Sequence, residues 1–144
     1  MATTNISLEK TPHEEWGITD IGELLFMFFV SKERNIPIPK KNLDSLVYSL
    51  KQNEELQFFY SFHLNPLPVS NSLRDDLRDL VATSEIEISS PIKLTSKGEN
   101  WVESYLIDQP RFEEVCDSVG NSLERRKDWT EEDYFKHIYE HISR

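Results

Sequence analysis

The chain has 144 residues, 38% of them hydrophobic, and a formal net charge of −10. That length suits one domain with room for a small appended subdomain, and eight Phe, five Tyr and three Trp supply a core without covalent staples. Its single cysteine, Cys116, excludes an internal disulfide and fits a reducing, cytoplasmic setting, while the longest apolar run, Leu24 to Val30, is too short to span a bilayer.

Residues 1–15 are polar and are expected to form a flexible N-terminal segment; Met1–Lys10 has no basic stretch followed by an apolar core, so no signal peptide is expected. Asp20 and Glu23 stand three apart, as in a capping box. Ile21, Leu24, Leu25 and Phe28 then recur at helical spacing, and Phe26, Met27, Phe29 and Val30 make this first long helix apolar nearly all round, which predicts a central, buried element. Lys32 to Lys41 is basic, and Ile36-Pro37-Ile38-Pro39 within it must be extended, because each residue before a proline is pushed out of the helical region. Pro39 suits the first position of a second helix that buries Leu43, Leu46, Val47 and Leu50 and ends near Asn53. Phe58, Phe59, Tyr60 and Phe62 favour a strand or extended segment packed on the first helix, followed by a rigid Asn65-Pro66-Leu67-Pro68 loop. His63 has no carboxylate or cysteine close by in sequence and reads as a loop histidine.

The stretch from Ser70 to Leu106 organises the chain. Leu73, Leu77, Leu80 and Val81 lie on one face of a helix, with Ser72 as its expected N-cap. Glu85-Ile86-Glu87-Ile88 alternates polar and apolar, Ser89-Ser90-Pro91 turns, and Ile92-Lys93-Leu94 alternates back, which predicts a two-stranded hairpin. Thr95 or Ser96 caps a further helix with Trp101, Val102, Tyr105 and Leu106 on one face, and Gly98 in its first turn suggests close packing.

The order helix, hairpin, helix is that of the second half of a winged-helix domain. The string LRDDLRDLVATSEIEI…IKLTSKGENWVESYL resembles the winged-helix pattern of many small prokaryotic proteins. With PKKNLDSLVYSLKQN and FFYSFHLNPLPVSNSLRDDLRDL upstream, about Pro39 to Leu106 resembles the YwgA-like family and, more distantly, the antitoxin-associated Panacea domains. The chain departs from them at Asn65-Pro66-Leu67-Pro68, where the family has Tyr-Gly-Pro, and at Thr83-Ser84-Glu85, which lacks the usual Gly. The resemblance implies a winged helix-turn-helix core, in a mainly α fold with a small β-hairpin; the pattern along the chain extends that domain over residues 16–107 and leaves residues 108–144 as a C-terminal helical extension used for packing or dimerisation. The resemblance also implies a partner-binding, antitoxin- or adaptor-like role.

In that extension, Pro110 can start a helix bearing Phe112, Val115, Cys116, Val119 and Leu123, which Gly120-Asn121 should loosen or interrupt. Arg125-Arg126-Lys127 reads as a solvated helix end, where cations complement the helix dipole. Thr130 and Asp133 resemble a capping box for a last helix with Tyr134, Phe135, Ile138, Tyr139 and Ile142 on a broad apolar face. That face either folds back on the domain or pairs with a second subunit, and winged-helix proteins often dimerise through terminal helices; these five residues are the candidate homodimer interface.

Chemistry-bearing motifs are sparse. Asp133, His137 and His141 recur at i, i+4 and i+8, but no HExxH motif and no cysteine pair complete a metal site, so no metal and no cofactor are expected. There is no phosphate-cradling glycine loop and no GxSxG, and Glu113, Glu114 and Asp117 around Cys116 disfavour a thiolate nucleophile. No enzyme is expected. The acidity is spread along the chain, with net charges of −3, −3 and −4 over residues 1–69, 70–106 and 107–144. A helix that grips DNA ordinarily needs a basic face, whereas Arg74 and Arg78 here compete with Asp75, Asp76 and Asp79. The first expectation is therefore a module that binds a protein partner. The alternative is a DNA-binding transcriptional regulator using the 72–83 helix and the 85–95 wing, with Ser72, Arg74 and Arg78 nearest the groove and Lys40, Lys41 and Lys93 on phosphates.

Overall fold

The computed structural model describes residues 12–53, 56–89 and 91–143. In chain order these form α1 (Pro12–Trp16), α2 (Asp20–Arg34), a 3-10 turn (Lys40–Asn42), α3 (Leu43–Gln52), β1 (His63–Leu64), β2 (Pro68–Val69), α4 (Asn71–Ala82), β3 (Ile86–Glu87), β4 (Lys93–Leu94), α5 (Ser96–Tyr105), α6 (Phe112–Arg126) and α7 (Glu131–Ser143). The chain is mainly helical with two small antiparallel hairpins. Among the described residues no helix is long and apolar enough to cross a membrane.

The apolar run of α2 does place that helix at the centre. Every residue from Gly22 to Ser31 is buried, and α1, α5, α6 and β4 pack around it. The helix stops at Asn35, whose left-handed backbone (φ 57°) returns its N–H to the carbonyls of Ser31 and Lys32. The extended Ile36–Pro39 segment follows and buries Ile36 and Ile38. Pro39 does not start α3 directly: a 3-10 turn intervenes, after which Leu43, Leu46, Val47 and Leu50 are buried as expected.

The aromatic segment 56–62 is no strand. Its backbone donors go to side chains of α2 instead of a strand partner: Gln57 and Phe58 donate to Glu23, and Phe59 donates to Asp20. Phe58 also has φ 34°, outside the strand region. The pairing appears immediately afterwards, where His63 faces Val69 and Leu64 faces Pro68 across the loop expected to be merely rigid. Likewise Ser70, not Ser72, caps α4: its Oγ accepts the Leu73 N–H at 3.1 Å. Ser72 lies inside the first turn with its own Oγ 3.1 Å from that of Ser70. On α4, Leu73 and Leu80 are buried, while Val81 is 41% exposed.

The β3–β4 hairpin forms where alternation predicts it, with Ile86 opposite Leu94 inside and Glu87 opposite Lys93 outside. Thr95 caps α5 by accepting the Gly98 N–H at 3.2 Å. A Cβ on Gly98 would lie 2.4 Å from the Glu85 carbonyl oxygen and 2.5 Å from Leu94 Cδ1, so the hairpin rests directly on this glycine. Val102 and Leu106 are buried, but Tyr105, placed on the same face by the sequence pattern, is 64% exposed.

The C-terminal helices share the core with the rest of the chain. The first residues of the supposed flexible segment do so too, since Pro12–Trp16 form α1 and Trp16 is buried; residues 1–11 lie outside the described residues. Helix α6 runs unbroken through Gly120-Asn121, because Gly120 makes room for the Arg34 guanidinium, whose Cζ would stand 2.6 Å from an added Cβ. The basic triplet at its end is not wholly solvated. Arg126 is buried, donates to Ser49 Oγ and to the Ser122 carbonyl, each at 2.9 Å, and lies over the Trp129 ring. Thr130 and Asp133 do close a capping box at the start of α7, the Thr130 N–H donating to Asp133 and the Asp133 N–H to Thr130 Oγ1. Helix α7 folds back on the domain. Tyr134 and Ile138 are buried within this chain, so they are not available to a second subunit. The Tyr139 hydroxyl donates to the Pro66 carbonyl, and Phe135 is 41% exposed. The Ile142 side chain lies outside the described residues.

Two of the helical glycines, Gly98 and Gly120, should respond differently to alanine. Gly98→Ala meets backbone and a buried leucine, and should cost about 1–3 kcal/mol of unfolding free energy. Gly120→Ala meets only the far end of a flexible arginine and gains helix propensity, so it should stay within about 1 kcal/mol of the parent. Urea denaturation of the two variants checks both.

Candidate functional site

The six side chains expected at a nucleic-acid face divide into two groups. Lys40 and Lys41 project from the 3-10 turn, and Arg74 and Arg78 stand one helical turn apart on α4. These four line one open groove of about 800 Å³. Leu43, Leu77, Val81 and Ile88 supply its apolar wall. The local causes are plain. Pro37 and Pro39 keep the segment before the turn extended, which carries the two lysines across to α4. The i, i+4 spacing puts Arg74 with Arg78, and Leu77 with Val81, on adjoining rows of α4. Ile88 arrives from the tip of the β3–β4 hairpin. Val81 and Ile88, 41% and 38% exposed, leave aliphatic surface open to water.

Asp44 is the acidic residue lining the groove. Its carboxylate accepts the Ser70 N–H at 2.9 Å and lies 3.8 Å from Arg74. Arg78 bonds Asp75 at 3.1 Å in an exposed setting, where such pairs contribute little. The other two expected contacts lie elsewhere. Ser72 is taken up beside Ser70, and Lys93 lines a separate depression with Lys32, against Pro37 and Pro91. Elsewhere on α4, Asp75 and Asp79 are exposed, and Asp76 accepts a 2.6 Å bond from the Tyr60 hydroxyl. Burial raises the Asp76 carboxyl above the usual carboxylate range, and burial together with this acceptor raises the Tyr60 phenol.

A second cluster was hidden from the sequence reading. Asp20 and Glu23 are not a capping box: Thr19 is the N-cap residue, and the Glu23 side chain is fully buried. Glu23 accepts the N–H of Phe58 at 2.8 Å and of Gln57 at 3.0 Å, and Asp20 accepts that of Phe59 at 2.9 Å. His13 of α1 closes the cluster, its Nε2 lying 2.8 Å from Asp20 Oδ1 and 3.5 Å from Glu23 Oε1. One imidazole nitrogen and two carboxylate oxygens thus lie within 4.8 Å of one another, a donor set a metal ion could use. Those same oxygens already hold the 57–59 backbone, so the cluster is complete as a clamp. The signal in the sequence was a single glutamate inside the apolar run IGELLF, which once buried requires hydrogen-bond partners.

The remaining candidates do not assemble into chemistry. Asp133 is occupied by the Thr130 capping box, the His137 ring packs on Trp129 at 5.0 Å, and the His141 side chain lies outside the described residues. Burial, with Asp117 and Glu113 adding to it, pushes the Cys116 thiol up to about 12, which keeps it protonated at neutral pH.

No family model, curated protein or solved structure matches this chain. Its role has to be read from its own surface chemistry.

Burial, partly offset by the Gln57 and Phe58 N–H groups, pushes the Glu23 carboxyl from 4.5 up to about 7. The folded state therefore holds this proton more tightly than the unfolded chain. Its contribution to stability is greatest below pH 4.5 and is lost as pH rises to about 7. Urea denaturation across that window should show the fall. Glu23→Gln should flatten it and cost about 1–3 kcal/mol at the low-pH end, because one buried N–H loses its acceptor.

Proposed function

We propose that this chain is a non-enzymatic interaction module of winged-helix type that binds a protein partner, in the manner of an antitoxin or adaptor. One observation carries the reading: on a chain of net charge −10, four cations gather round an exposed aliphatic groove. A protein partner uses both halves of that chemistry, because the cores of protein interfaces are apolar and enriched in arginine. In this reading α2, α3 and α4 are the three helices of the domain, and the β3–β4 hairpin is its wing. The single free cysteine suits a cytoplasmic setting.

The second reading, a DNA-binding regulator, is favoured by the same gathering of Lys40, Lys41, Arg74 and Arg78. Against it, phosphates make no use of Leu77, Val81 and Ile88. Asp75 and Asp79 dilute the field of α4, and Lys93 is directed to another part of the surface. Fluorescence anisotropy with mixed-sequence duplex DNA separates the two, read from low to physiological salt. The protein-partner reading expects weak binding at low salt that vanishes by about 0.15 M. Persistent affinity with a steep log–log salt slope, lost in Arg74→Ala and Arg78→Ala, would make the regulator the correct reading.

A further inference from the structure

Resting on the protein-partner reading, we infer that the groove between the Lys40 turn, α4 and the hairpin tip receives an acidic amphipathic helix of the partner. Its apolar stripe seats on Leu77, Val81 and Ile88, and its flanking carboxylates reach Lys40, Lys41, Arg74 and Arg78.

Charge is the first argument. The groove's lining carries four cations against the single carboxylate of Asp44, on a chain that is otherwise acidic. Asp44 is already engaged by the Ser70 N–H and lies beside Arg74. The Lys40 and Lys41 side chains are exposed, and that of Arg74 is 55% exposed, so an incoming carboxylate reaches them without displacing a buried partner. The floor is the second argument. Val81 and Ile88 are aliphatic, exposed and adjacent to those cations, so the occupant must carry apolar groups beside its acidic ones.

Shape decides among acidic, apolar occupants. A volume of about 800 Å³ admits several side chains, but the groove is open to solvent. Small-molecule sites enclose roughly 70–90% of their ligand, which an open groove does not do, whereas a helix covers its own contact face. An extended peptide adding to a sheet would need a free backbone edge. The groove presents side chains of α4 instead, and β3 is only two residues long. The rows Arg74–Arg78 and Leu77–Val81 each repeat every four residues, a rise of about 6 Å. That is the repeat of an i, i+4 stripe on a partner helix.

The test uses the full chain and labelled synthetic peptides of about 16 residues, long enough to form four helical turns. The acidic probe has Leu at i, i+3, i+4 and i+7 with Glu on the flanking positions. Controls are a scramble of the same composition, the same stripe with Lys replacing Glu, and duplex DNA. The acidic helix should bind, its affinity should fall as salt rises, and it should weaken about tenfold or more with Val81→Asp and with the double variant Lys40→Glu/Lys41→Glu. These positions are exposed, and an unchanged thermal melt confirms that the variants fold. Equal binding of the scramble, or of the Lys peptide, overturns the helical or the acidic character of the occupant and leaves the protein-partner reading standing. Peptide binding indifferent to both variants overturns the groove assignment alone. Failure of every peptide overturns the acidic helix. Failure of every peptide together with DNA binding that the groove variants abolish overturns the protein-partner reading as well.

Discussion

A helix apolar on every side has to be enclosed on every side, and the fold is built to meet that demand for α2. Trp16 and Phe112 pack round Phe26, with ring centroids 5.2 and 5.8 Å away. Helices α5 and α6 and strand β4 close the remaining sides. Trp16 also ties the first helix to the far part of the chain, its indole N–H donating to the Pro110 carbonyl at 2.7 Å. The Arg111–Glu15 pair at 3.1 Å runs parallel to it. The buried Glu23 carboxyl of this helix is accommodated because two backbone N–H groups donate to it and burial favours its protonated form. A buried charge without such partners is costly.

The polar groups drawn into the interior follow the same rule. Arg126 enters the core at the end of α6 and gives its donors to Ser49 and the Ser122 carbonyl, which joins α3 to the C-terminal helices. Asp76 and Tyr60 join α4 to the irregular aromatic segment. The Arg126–Ser49 and Tyr60–Asp76 contacts join separate elements, and the C-terminal helices share one core with the rest of the described residues.

Helix α4 divides its labour by face. Leu73 and Leu80 anchor it in the core, Asp76 holds the aromatic segment, and Arg74, Leu77, Arg78 and Val81 look into the groove. The acidity that argued against a nucleic-acid surface is borne by the rest of that helix. The basic, aliphatic notch is set into a strongly acidic chain, and the proposed acidic, apolar occupant uses that contrast.

What the sequence by itself determined about this protein is local. Periodicity gave the buried helix of Leu24 to Val30, the alternation of Glu85 to Ile88 gave the β3–β4 hairpin, and the Thr95-Ser96 pair and the Thr130–Asp133 pair marked helix starts. Each of these depends on residues within a turn or two of one another. All six cations and polar groups proposed for a binding face could be named, but not that four of them converge while Ser72 and Lys93 stand apart. Tertiary structure alone decided that Glu23 clamps residues 57 and 58, that Ser70 rather than Ser72 caps α4, that Gly120 sits under Arg34 without breaking α6, and that Arg126 is buried. It also decided that Tyr134 and Ile138 close the domain's own core. The reason is the same in every case. The partner group lies tens of residues away, or competes with an equally suitable neighbour, and no local pattern records which one the folded chain brings within reach.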